Sequence, residues 1–179
     1  RKLVQYMFEA RDIKTYDLLM KDPMKWLTRQ DRMPVGRNEK ELVTIALARL
    51  ARSDVSVADS YLRREWAKSM SKPNLAWVRG QYALMAALKL DSRADDWYHE
   101  AGHIRMTDYN AGWKVRAALR QPKIDWKWVI ESIDEMPASQ RDDPSWVYWK
   151  ARGLAATGRK DQANALYASI ADRFDFYGQ

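Results

Sequence analysis

Apolar residues recur three and four positions apart along almost the whole of this chain, and strict alternation never persists beyond a few residues. That spacing matches the 3.6-residue turn of a helix, whereas a half-buried strand needs a period of two. The chain is therefore read as all-α. The pattern predicts helices at about 2–11, 13–21, 23–32, 38–52, 54–69, 73–89, 94–104, 108–120, 124–136, 144–157 and 160–173. Asp22-Pro23 and Asp143-Pro144 read as helix starts, because a capping carboxylate precedes a proline whose missing N–H costs nothing in the first turn. Gly158 reads as a stop in the left-handed conformation, and Pro34, Pro122 and Pro137 follow helix ends.

Connections this short between helices of ten to seventeen residues imply antiparallel helical hairpins, and the hairpins recur. Trp77, Trp113 and Trp149 lie 113 − 77 = 36 and 149 − 113 = 36 residues apart. The last two open the related stretches Trp113-Lys-Val-Arg116 and Trp149-Lys-Ala-Arg152, each followed by small residues. A period of about 36 residues per helical pair predicts an α-solenoid, here a right-handed α-superhelix filling 1–179 as one domain. In such a stack Trp77, Trp113, Arg116, Trp149, Arg152, Gly153, Leu154, Gly158 and Tyr167 are expected to serve repeat packing, small residues admitting a neighbouring helix and tryptophans filling the gaps.

Composition sets the bounds on function. A hydrophobic fraction of 46% with nine tryptophans in 179 residues supports a folded chain. Cysteine is absent, which removes disulfides and thiolate metal sites. The formal charge of +7 favours an anionic partner without naming it, since acidic residues are interspersed throughout. No apolar run is long enough to span a membrane. Arg1 stands within a helical pattern, so the chain reads as a piece of a longer polypeptide.

His99-Glu100-Ala101-Gly102-His103 matches H-E-x-x-H, which on a helix places two imidazoles on one face for zinc and a glutamate beside them as general base. His99, Glu100 and His103 are thus metal candidates, with Glu131 as a conceivable third ligand, although Gly102 and Arg105 argue against a rigid metal site and no metal is expected. The pairs Asp95-Asp96, Asp134-Glu135 and Asp142-Asp143 have the residue types for acid–base chemistry, but they lie at helix ends, where carboxylates cap or oppose the helix dipole. No glycine-rich phosphate loop and no nucleophile elbow is present, so neither a cofactor nor a catalytic residue is expected. Aromatics alternate with cations in Trp126-Lys127-Trp128 and Trp113-Lys114, a combination suited to stacking on bases or sugar rings.

From Trp77 onward the chain resembles the C-terminal repeats of the superhelical U-shaped domain of soluble lytic murein transglycosylases. The likeness rests on Trp146-x-x-Trp149-x-Ala151-Arg152-x-Leu154-x-x-x-Gly158, then Ala163, Tyr167 and Phe176-Tyr177-Gly178, and on Trp113 to Leu119 with Trp128 to Pro137 before them. The resemblance implies helical pairs curled into a ring, followed beyond Gln179 by a linker and a lysozyme-like catalytic domain. It implies a periplasmic parent enzyme that cleaves the β-1,4 bond between N-acetylmuramic acid and N-acetylglucosamine, leaving 1,6-anhydromuropeptides. The glutamate that does so in the family has no counterpart here, so this segment is expected to be a non-catalytic scaffold. Its expected partners are peptidoglycan strands, the parent's own linker and catalytic domains, and other cell-wall enzymes, with no nucleic acid. The alternative is a tetratricopeptide-like interaction module, suggested by Gly158-x-x-x-x-Ala163-x-x-x-Tyr167. A zinc metallopeptidase is a remote third.

Overall fold

The computed structural model describes residues 10–30 and 32–171, so Phe176-Tyr177-Gly178 and the expected helix start near residue 2 lie outside the described residues. Every element described is helical. The helices are α1 (Ala10–Lys21), α2 (Pro23–Leu27), α3 (Arg37–Leu50), α4 (Val55–Tyr61), α5 (Lys72–Leu88), α6 (Ala94–Ala101), α7 (Asp108–Leu119), α8 (Trp126–Asp134), α9 (Ala138–Arg141), α10 (Pro144–Ala156) and α11 (Lys160–Ile170).

Local chemistry sets most boundaries. Asp22, Asp125 and Asp143 each accept a backbone N–H of the helix they precede, from Lys25, Trp128 and Ser145 respectively. Gly158 has φ +84, and α10 closes with Gly158 N–H donating to Ala155 and Arg159 N–H to Leu154, the paired bonds of a Schellman stop. Other boundaries differ from expectation. The helix expected over 23–32 ends at Leu27, and α1 runs unbroken from Ala10 where a break near residue 12 was expected. The helix expected over 54–69 gives way after Tyr61 to a π turn, Leu62–Trp66, in which Ala67 N–H reaches the Leu62 carbonyl. The short helix α9 has no counterpart in the sequence reading, because four residues are too few to show a period.

The chain packs as two units, one of Arg1–Ala86 with Trp97–Gly102, the other of Ala87–Asp96 with His103–Gln179. In the first unit α1, α2 and α3 pack mutually and α3 meets α4. Tyr82 of α5 is fully buried, and its hydroxyl donates to the Leu47 carbonyl of α3 at 3.0 Å, with the Ala58 carbonyl of α4 at 3.4 Å. Burial pushes its phenol far above the usual range, so the group stays neutral. Tyr82→Phe is expected to lower stability by about 1–2 kcal/mol, the cost of a buried carbonyl losing its donor. Chemical denaturation measures that loss, and an unchanged midpoint would show the hydroxyl to be idle.

In the second unit α7 packs on α8, and α10 packs on both α8 and α11. Ile130, Leu154 and Ala163 form its cluster of buried side chains, flanked by Ala155, Leu166 and Tyr167. Gly153 is buried where α10 meets α8, and a Cβ there would lie 2.8 Å from Ile130 Cγ1.

Candidate functional site

The H-E-x-x-H match does not fold as a zinc helix. α6 ends at Ala101, and Gly102 turns left-handed with φ +68, so His103 leaves the helix one residue before its turn would place it beside His99. Glycine takes that conformation freely, which is why the helix expected to reach residue 104 stops here. Glu100 is committed elsewhere. Both of its carboxylate oxygens accept from Arg63 Nη2, at 2.6 and 2.7 Å, and Arg79 Nε lies 3.1 Å away. With its oxygens engaged by two guanidiniums of its own unit, Glu100 is taken up in an ion-pair network and not aimed at a metal-bound water.

His103 instead belongs to a charge cluster of the second unit. Its Nδ1 bonds Glu135 Oε1, while the other oxygen of Glu135 accepts from Lys114 Nζ at 2.7 Å. Lys114 is only 2% exposed, and its ammonium lies 4.3 Å from the centre of the Trp128 ring. Trp128 Nε1 donates to Asp95 Oδ1 at 3.2 Å, and His103 meets the same indole edge-on. Burial works against the Glu135 charge, yet the bonds from His103 and Lys114 outweigh it and hold its carboxyl below the usual range. The cluster thus joins α6, α7 and α8 within one unit through neutralised charges, an arrangement suited to fixing helices.

The remaining carboxylate pairs are also engaged. Asp95 accepts from Trp128, Asp134 bonds Lys150, and Asp143 caps α10. Glu131 pairs loosely with Lys127 one turn away. Sequence reading missed the Lys114–Glu135 pair; the available signal was Lys114 itself, a cation set within the face Asn110, Lys114, Val115, Ala117 and Ala118 that is buried in α7.

The tryptophans expected in repeat packing differ among themselves. Trp77 is 40% exposed, while Trp113 and Trp149 are half-buried. The buried indoles are Trp66, Trp97, Trp128 and Trp146, which the 36-residue spacing does not single out. Trp149 stacks edge-on with Tyr148 at 5.3 Å, Tyr148 tilts against Tyr167 at 6.0 Å, and exposed Arg152 reaches the Tyr148 hydroxyl. Arg116 lies 5.5 Å from the Trp113 ring and 5.0 Å from that of Trp146. Tyr109 stands edge-on to Trp113 at 6.4 Å. The solvent side of α7 therefore carries an aromatic and cationic surface, and its opposite side carries the charge cluster.

No protein-family model matches the chain, and no curated protein matches it. Among solved structures it is similar to a crystal structure of an inactive mutant of lytic transglycosylase Slt from Pseudomonas aeruginosa, with a TM-score of 0.66 and 23% sequence identity over 93% of this chain. The chain shares its fold with part of that enzyme. It spans 28% of the length of the Pseudomonas enzyme. Across the described residues no helix is long and apolar enough to cross a membrane, and no cluster of three metal-ligating side chains forms.

Proposed function

We propose that this chain is a non-catalytic, superhelical scaffold segment of a periplasmic lytic transglycosylase, and that it seats the parent enzyme on peptidoglycan strands. The observation that carries the reading is the likeness in fold to the Pseudomonas enzyme along 93% of the chain. The starts of α5, α7 and α10 at Lys72, Asp108 and Pro144, 108 − 72 = 36 and 144 − 108 = 36 residues apart, support a repeating helical pair. The commitment of Glu100, Glu135, Asp95 and Asp143 to cations, an indole and a helix cap supports a segment without its own acid–base pair. The parent's reaction, in this reading, is cleavage of the glycan bond with formation of 1,6-anhydromuropeptides by a domain in another part of the polypeptide. The net positive charge suits strands that carry lactyl and peptide carboxylates.

The test uses the chain with purified sacculi. It is expected to sediment with them at low salt and to be released as salt rises, because exposed charges are screened. It is also expected to liberate no anhydromuropeptides. Release of such fragments by this chain would overturn the division of labour, and failure to sediment would remove the glycan-seating role.

A tetratricopeptide-like module is the second reading, favoured by the packing of Ala163 and Tyr167 of α11 on the cluster containing Leu154 of α10. Capture of peptides with no affinity for sacculi would favour it.

A further inference from the structure

We propose that the solvent face of α7 is a docking surface for a carboxylate-bearing, N-acylated glycan, with Tyr109, Trp113, Arg116 and Arg120 as its contact residues. The inference rests on the cell-wall reading above and goes on to name a surface and a ligand chemistry. These four residues fall at i, i+4, i+7 and i+11, so they share one face of the helix and its last turn over about 16 Å. Two aromatics lead and two guanidiniums follow. Tyr109 is 61% exposed, and the Trp113 ring meets it edge-on, giving adjacent apolar plates on which the C–H faces of sugar rings can stack.

The cations are poised for an anion. Arg63, Arg79 and Arg93 are all bound to carboxylates, but neither Arg116 nor Arg120 has an acidic partner among the described residues. Arg116 rests between the indoles of Trp113 and Trp146, above Gly112, where a Cβ would lie 2.9 Å from its Nη1 and 3.3 Å from Trp146 Cζ2. Gly112 therefore makes room for the guanidinium to lie down against the rings, and aromatic faces orient it without neutralising it.

A second, independent feature adjoins this face. Leu90 has φ +59, a left-handed backbone that disfavours a branched side chain, and it is 56% exposed. The turn is held by Arg120 Nη2 donating to the Leu90 carbonyl at 3.2 Å and Gln121 Nε2 donating to the Ser92 carbonyl at 3.0 Å. Strain of this kind persists where the surroundings over-determine it. Together Leu90, Ser92, Trp113, Arg120 and Gln121 wall a cleft of about 40 Å³, which Asp91 also lines. That is room for a group of two or three heavy atoms with both an apolar and a hydrogen-bonding side, as the acetyl end of an acetamido substituent has. The charge of Asp91 is offset there by Arg93, which binds both of its oxygens.

The test compares the chain with Arg116→Gln and with Tyr109→Ala, both exposed positions whose substitution should leave the circular dichroism unchanged. The probes are purified sacculi, soluble neutral chito-oligosaccharide and duplex DNA. Arg116→Gln is expected to bind sacculi about fivefold more weakly at low salt, in line with loss of a charge-assisted contact, while its weak binding of the neutral oligosaccharide stays within about twofold. Tyr109→Ala is expected to weaken both by about threefold or more through lost stacking. Equal sedimentation of all three proteins would overturn the α7 surface and leave the proposed scaffold role standing. Absence of sedimentation by the unmodified chain would overturn both this surface and the glycan-seating role. Loss of binding to duplex DNA with binding to sacculi unchanged would assign the stripe to nucleic acid and overturn the glycan assignment.

Discussion

Glu135→Ala is expected to lower the melting temperature by about 5–10 °C, although Glu135 is itself exposed, because it strips the partner from a buried lysine. Lys114 Nζ has one carboxylate at 2.7 Å and an indole face at 4.3 Å, and the side chain is 2% exposed. Without Glu135 the indole remains, but an aromatic face replaces only part of what a full countercharge supplies. Removing one member of a fully buried pair costs about 3–5 kcal/mol. Solvent reaches Glu135, so about 2–3 kcal/mol is the expectation here.

Lys114→Met should behave differently. It removes the buried charge and keeps the volume, and it leaves Glu135 with His103 and water. A loss under about 1.5 kcal/mol is expected, and the double variant should resemble Lys114→Met more closely than Glu135→Ala. Calorimetry of the four proteins measures the coupling, and a Lys114→Met loss as large as that of Glu135→Ala would show that the ion pair itself is net stabilising, against the stranded-charge account. The pH dependence has a definite sign. The folded carboxyl of Glu135 lies below the usual value, so its contribution is present above the ordinary glutamate pKa of about 4.3 and is lost as pH falls through the depressed one. The gap between wild type and Glu135→Ala should therefore narrow below about pH 4.

Gly153→Val is expected to cost about 3 kcal/mol or more, since its added atoms enter space already filled. A Cβ alone would lie 2.8 Å from Ile130 Cγ1, 3.2 Å from Ile130 Cδ1 and 3.4 Å from the Trp126 carbonyl. Ile130 is 5% exposed and packed with Leu154 and Ala163, so it has no free direction in which to yield. Gly153→Ala should fall between, because overpacking of about 1–3 kcal/mol is offset by about 1 kcal/mol of helix preference.

Gly112→Ala is the internal control. Its nearest added contact is the far end of the exposed Arg116 side chain, which can move, and the 3.3 Å approach to the buried Trp146 ring is offset by the helix preference of alanine, so its loss should be well below that of Gly153→Ala. In a double-mutant cycle, Ile130→Ala should recover part of the Gly153→Val loss. Purely additive losses would show that Gly153 is needed for its backbone and not for the approach of α8 to α10.

Much of the secondary structure was legible because its causes lie within about four residues of each boundary. Asp22 and Asp143 capping their own helices, Gly158 closing α10, and the turn-by-turn apolar spacing are all of that kind, while the cap at Asp125 went unread and its helix was expected to start at 124. The misses were also local in origin where a helix failed early. Gly102 was read as a weak point inside a helix, but its left-handed turn ended α6 and separated His103 from His99.

The site was less legible. Trp77, Trp113 and Trp149 share a spacing, yet burial goes to Trp128 and Trp146, because an indole is covered only if another helix arrives over it. The same holds for charge. Lys114 finds Glu135 21 residues away, Asp95 finds Trp128 33 away, and Arg63 finds Glu100 37 away.

By itself, the sequence determined that the chain is helical and where most of its helices begin and end, since the 3.6-residue period and the caps act through neighbouring backbone. Only the tertiary structure decided which tryptophans are covered, that Glu100 and Glu135 bind cations in place of a metal or substrate, and that Arg116 lies against two indoles with no acidic partner among the described residues. Those outcomes depend on which side chains from distant segments meet when helices pack, and helical periodicity carries no record of that pairing.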